Sequence, residues 1–212
     1  ICHENITLLC CVKYNSEMND AKANILTAAS ALFLEGGTRA LSVREIAKRG
    51  GVSTIGIYSY FQGKQGILDA LYIEGFQSVS RAMDVETEGR PPREAVLEAS
   101  QNYLDNAERY EAYYSLIFSE LDGSYMPSAE ARDAGEHAFN QLTRLVGSLL
   151  PASATQAEKQ DAAIQIWSVV HGFVSLKNHA VSLLADMSAW KQRAMRTIET
   201  LVDSIEQSGS NR

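Results

Sequence analysis

The chain reads as an all-α protein, a small three-helix head followed by a longer helical body. Three observations predict this. Apolar residues recur at three- and four-residue spacing along nearly all of the 212 residues, and no stretch shows the two-residue alternation of a half-buried strand. Glycine pairs, prolines and an Asp-Gly-Ser loop punctuate that pattern at helix-length intervals. Residues 42–61 hold two short helical patterns separated by a glycine turn.

In chain order, residues 1–17 are expected to be an upstream extension or a disordered leader, because Met18-Asn19-Asp20 looks like a natural start just ahead of a helix. The three cysteines, Cys2, Cys10 and Cys11, all lie in that stretch, so no disulfide framework or cysteine-based metal site supports the fold, and a reducing cytoplasm is expected. The apolar run from Ile6 to Val12 lacks a basic flank and is far too short to span a membrane. Asn19 or Asp20 is suited to cap a first helix whose buried stripe is Ile25, Ala28, Ala29, Leu32 and Phe33, with Gly36-Gly37 ending it.

Ser42 followed by Glu45 forms a capping box: the hydroxyl accepts from a free amide and the carboxylate reaches back to the N-cap amide. Val43, Ile46 and Ala47 make the apolar stripe of this second helix, with Arg44, Lys48 and Arg49 on its other side. Gly50-Gly51 stops it, since glycine takes the left-handed conformation without a Cβ penalty. Ser53 caps a third helix over 54–60, which buries Ile57 and Phe61 and leaves Thr54, Gly56, Tyr58 and Ser59 for solvent or a partner. Gly56 costs this helix about 1 kcal/mol relative to alanine. Close approach to a DNA backbone or base edge explains that cost, and so does a crowded helix crossing. Lys64 opens the next helix, where a cation opposes the dipole and points to an anionic partner.

That fourth helix, from Lys64 to about Asp84, carries Ile67, Leu68, Leu71, Tyr72, Gly75 and Phe76 and links head to body. Pro91 or Pro92 starts a helix reaching about Asn106, and another is expected from Tyr110 to Leu121. After the loop Asp122-Gly123-Ser124, Pro127 opens a helix towards Leu150. A long apolar helix is expected over 156–184, then an amphipathic one over 188–207 with Ile198, Leu201, Val202 and Ile205 on its apolar stripe, and a frayed tail.

The formal net charge of -7 argues against nucleic acid, but its distribution argues the reverse. Residues 22–68 carry six basic side chains against Glu35 and Glu45, whereas residues 69–212 carry twelve basic and twenty-one acidic groups. A basic head on an acidic body suits DNA binding at one end. No phosphate loop, nucleophile elbow or zinc signature is present, and Glu108 with Glu111 is simplest as a solvated face, so no enzyme, cofactor or metal site is expected.

At Ser42, Ile46-Ala47, Gly51-Val52-Ser53, Ile57-Tyr58, Tyr60-Phe61, Lys64 and Ile67-Leu68 the sequence resembles the TetR family of bacterial transcriptional regulators. Tyr60 stands where many members carry histidine. The resemblance implies a DNA-binding domain over 18–64 and a ligand-binding and dimerisation domain over 65–212. It also implies DNA contacts at Arg44, Thr54, Tyr58 and Lys64, mostly to phosphate, with Gly56 near the bases; Ser53 and Tyr60 complete the expected surface. Trp167 with His171-Gly172 resembles the Trp-x-x-x-His-Gly core of one C-terminal subtype. The partners implied are an operator in double-stranded DNA, a second copy held through the last two helices, and an unidentified small-molecule effector; no membrane is implied. The stripe Ile198, Leu201, Val202 and Ile205 suits such a two-fold seam, with an ordinary intramolecular helix pair as the alternative.

Tyr103, Tyr110, Tyr113, Tyr114 and Phe118 cluster in two consecutive helices, as in an apolar pocket with polar tips or a helical core with satisfied tyrosines. Tyr103, Tyr113, Tyr114, Phe118, Trp167 and His171 are the candidate ligand contacts. The expected function is a ligand-responsive repressor acting as a dimer on a palindrome. The alternatives are an activator of the same family, or a helical binding module whose head does not bind DNA.

Overall fold

In the computed structural model, residues 3–118, 125–178, 184 and 186–210 are described, with side chains from residue 20 to residue 208. They form helices α1 (His3–Ala40), α2 (Val43–Gly50), α3 (Thr54–Phe61), α4 (Lys64–Ala82), α5 (Pro92–Arg109), α6 (Glu111–Phe118), α7 (Ala129–Gly147), α8 (Gln156–Asn178) and α9 (Trp190–Ser210). No strand occurs among the described residues. The loop expected at Asp122-Gly123-Ser124, residues 179–183 of the helix expected over 156–184, and the last two residues of the tail lie outside the described residues, and residue 184 is in a turn.

Two compact units divide the chain. One comprises Ile1–Gly75 with Ala112–Ala131, the other Phe76–Glu111 with Arg132–Arg212. The division falls inside α4.

In the first unit, α1 runs through Asn19 and Asp20 without a cap, because no glycine or proline precedes them to interrupt the backbone; residues 3–17 are helical as well. Its stripe is buried as expected, with Ile25 and Ala29 fully inaccessible. Gly36 and Gly37 leave the helical conformation, Gly37 at φ 62°, before the chain resumes a final turn to Ala40. α2 packs on α1 and α3 on α2. Gly50 belongs to the last turn of α2 and serves the first of these contacts, for a Cβ there would lie 3.3 Å from the Asn24 carbonyl oxygen. Gly51, at φ 66°, is the left-handed cap, donating its amide to Ala47.

Only half of the capping box forms. The Ser42 hydroxyl accepts from the Glu45 amide at 3.2 Å, but the Ser42 amide donates to the Ala40 carbonyl, which removes the donor that Glu45 was expected to satisfy. α4 adds Ile67, Leu68 and Leu71 to this core, and Gly75 lets α6 approach: a Cβ there would stand 2.7 Å from Ile117 Cγ2. The segment ahead of α7 is tied to α4 by Tyr125 Oη and the Ser128 amide, which both donate to Asp69 Oδ1 at 2.8 and 3.0 Å. Burial and the adjacent Asp69 carboxylate push the Tyr125 phenol above its ordinary range.

In the second unit, α8 and α9 pack on each other and both on α5. Val96, Leu104, Val146, Ile166, Val174, Ile198 and Val202 fill its core, so Ile198, Val202 and Ile205 serve the intramolecular packing of α9, and of that stripe only Leu201 is half-buried. Pro92 sits in the first turn of α5, where its missing amide costs nothing. Ion pairs tie α5 to α9 near both ends: Lys191 Nζ reaches Asp105 and Glu108 at 2.7 and 2.6 Å, and Arg93 pairs with Asp203. Glu108, expected on a purely solvated face, is thus a partner of Lys191.

Candidate nucleic-acid interface

α3 is eight residues long and begins at an extended N-cap, Ser53, whose hydroxyl accepts from the Gly56 amide at 3.0 Å. Ile57 is its anchor, fully buried. Phe61, expected to be buried, is half-buried with Tyr60. Gln62 ends the helix at φ 59° with its amide on Tyr58, and Gly63 follows at φ 113°. Gly63 is buried beneath the Tyr58 ring, which a Cβ there would approach to 3.2 Å. The ring lies against the turn while Tyr58 remains 58% exposed.

Thr54 and Ser59 are exposed on the same helix, and Arg39, Arg44 and Lys48 are exposed on α1 and α2. Arg49 is also exposed but its guanidinium bonds Glu35 at 2.5 Å, a hydrogen bond that holds the Glu35 carboxyl below its usual range. Gly56 shows no crowding: a Cβ there would meet only Ser53 Oγ at 3.4 Å and Tyr60 Cε2 at 3.9 Å, both ordinary contacts. The helix-crossing explanation for this glycine therefore fails.

Lys64 has an internal partner. Its Nζ donates to the Thr38 carbonyl at 3.0 Å, in the last turn of α1. That bond gives the cation at the start of α4 an internal acceptor and uses one of its three ammonium donors, which leaves others for an anion.

One residue of this surface escaped the sequence reading. Ile55 is 79% exposed. The signal was available, because Ile55 and Ile57 lie about 200° apart on a helix and cannot share one buried face.

The candidate ligand residues fall in both units. Tyr103, Trp167 and His171 belong to the second, where Trp167 Nε1 donates to Tyr103 Oη at 3.3 Å and the Phe139 ring lies 5.9 Å from the indole. Tyr103 and Trp167 line an apolar cavity of about 20 Å³ with Met83, Val96, Leu145 and Ile166. His171 is half-buried, and burial lowers its imidazole from the ordinary histidine value. Tyr113, Tyr114 and Phe118 belong to the first unit, where the Tyr114 and Phe118 rings stand 4.7 Å apart.

Residues 25–71 match the model described as bacterial regulatory proteins, tetR family, and residues 96–201 match the tetracyclin repressor-like C-terminal domain, which alone spans half of the chain. The chain belongs to the tetR family. The probable HTH-type transcriptional regulator YttP of Bacillus subtilis (strain 168) is 30% identical over 125 residues, 59% of this chain. The match covers only 48% of that relative's length. Among solved structures, a tetR-family regulatory protein from Rhodococcus RHA1 superposes with a TM-score of 0.69 at 22% identity, covering 87% of this chain and 96% of that one. The TetR-family regulator PfmR from Thermus thermophilus gives 0.61 at 18% identity, covering 86% and 97%. At these identities the superpositions show the shared all-α fold. Family membership places the chain among bacterial regulatory proteins. Among the described residues, no helix is long and apolar enough to cross a membrane.

Proposed function

We propose that this tetR-family protein is a DNA-binding transcriptional regulator, a repressor that sits on a palindromic operator as a homodimer in the bacterial cytoplasm and is released by a small-molecule effector. The observation that carries the proposal is the exposed face of α3, anchored through Ile57 and accompanied by the exposed cations of α1 and α2. A helix of this kind enters a major groove while the preceding helix crosses the backbone. Arg44, Thr54, Tyr58 and Lys64 then contact mainly phosphates, with Ser53 and Tyr60 beside them and Gly56 near the bases. Lys64 can pass a phosphate contact on to the end of α1 through Thr38.

Two copies would present two such helices about 34 Å apart, one turn of duplex. The face that α8 and α9 share offers a surface for pairing: Leu176 is 46% exposed, and an open groove is lined by Val169, Thr197 and Leu201 together with Arg193 and Arg196. A two-fold interface built there uses the same patch on both copies.

The cavity beside Tyr103 and Trp167 has room for about one water, far below the few hundred Å³ of a small-molecule site. An effector would therefore bind a state in which this cavity has opened, and would shift the population only as far as it prefers that state. Its lining suits an apolar molecule with a hydrogen-bonding group for Tyr103.

Selection of duplexes by the full chain from the DNA flanking its gene tests the proposal. Enrichment of a palindrome bound at two chains per duplex is the expected result, and lower reporter output in the presence of the gene separates repressor from activator. Recovery of random sequence would contradict DNA regulation.

A further inference from the structure

We propose that Ile55 sets the base preference of this protein by packing against the 5-methyl group of a thymine in the major groove. This rests on the DNA-binding reading above and specifies the base chemistry it uses.

A helix advances about 100° per residue, so buried Ile57 fixes the inward direction of α3 and the opposite direction falls between Ile55 and Ser59. Ile55 thus lies near the middle of the outward face, and at 79% it is more exposed than Tyr58. A lone exposed isoleucine is ordinary on a protein surface. The composition of the rest of the helix gives this one its meaning.

α3 reads Thr-Ile-Gly-Ile-Tyr-Ser-Tyr-Phe and holds no Arg, Lys, Asn, Gln, Asp or Glu. Those are the side chains that distinguish bases by directed hydrogen bonds. The hydroxyls of Thr54, Tyr58 and Ser59 both donate and accept, so they satisfy many base edges and separate them weakly. An apolar side chain in the same place is selective in a different way, because thymine alone among the four bases presents a methyl group in the major groove. The Tyr58 ring lies against Gly63, and the Thr54 methyl stands only about 60° from the inward Ile57 direction, so Ile55 is the aliphatic side chain nearest the middle of the outward face.

The test uses the full chain and a duplex it enriches from a random-sequence pool. Each thymine of the half-site is replaced in turn by deoxyuridine, which deletes the methyl and keeps the pairing. One position is expected to lose about fourfold in affinity, the worth of one buried methyl. Ile55→Ser should bind thymine and deoxyuridine duplexes equally at that position, and its unfolding midpoint should match that of the unaltered chain. Insensitivity to deoxyuridine at every thymine, or full sensitivity retained in Ile55→Ser, would overturn the Ile55 assignment while leaving DNA binding intact. Failure to enrich any sequence would overturn the DNA-binding reading and the Ile55 assignment with it.

Discussion

Replacing Gly56 by alanine should make the protein more stable and a poorer DNA binder. In the free chain the added methyl meets Ser53 Oγ at 3.4 Å and Tyr60 Cε2 at 3.9 Å, so nothing has to move, and the amide bond from Gly56 to the Ser53 hydroxyl is unaffected. What remains is the gain from removing a glycine from a helix, up to about 1 kcal/mol. On DNA the same methyl enters whatever space the groove leaves. Forcing a methyl into a close-packed contact costs about 1–3 kcal/mol, or roughly fivefold to 150-fold in affinity. Urea unfolding of Gly56→Ala should show a raised midpoint with an unchanged slope, and titration of the enriched duplex should show weaker binding. Unchanged affinity alongside higher stability would refute the idea that glycine is present for the approach of DNA. Lower stability would refute the open geometry around Gly56.

Other substitutions probe the surrounding structure. Gly66→Ala should destabilise the protein by about 3 kcal/mol or more, since its Cβ would collide with the Phe61 backbone carbonyl, which cannot rotate away; calorimetry against Gly56→Ala gives opposite signs if this is right. Asp69→Ala leaves Tyr125 and the Ser128 amide without their acceptor and should cost about 1–3 kcal/mol, with faster hydrogen exchange at Ser128. For His171, burial lowers the folded value below the unfolded 6.5, so the unfolded chain takes up a proton first as pH falls. Its contribution is therefore fully present above about pH 6.5 and is lost as pH falls from there through the folded value. His171→Gln should flatten stability across that window relative to the unaltered chain, and parallel pH profiles for the two would contradict the assignment.

Local signals were the legible part of this chain. The αL turn at Gly51, the Ser53 cap and the stripe from Ile25 to Phe33 each depend on residues within a few positions of one another, and each forms as expected. Long-range pairings were not legible. Nothing near Lys64 reveals that its ammonium reaches Thr38, and nothing near Asp69 reveals Tyr125. Nor does sequence proximity show that packing places Tyr113, Tyr114 and Phe118 in one unit and Tyr103 in the other. Ile55 shows the converse, a residue whose exposure follows from helical geometry once Ile57 is known to be the anchor.

The most direct test of the central claim is equilibrium binding of the full chain and of Arg44→Ala to the enriched duplex and to a scrambled one across a salt series. The account predicts preference for the enriched duplex, a linear fall of log affinity with log salt, and a shallower slope for Arg44→Ala by about 1 for each contacting copy. Equal, salt-independent affinity for both duplexes would contradict it.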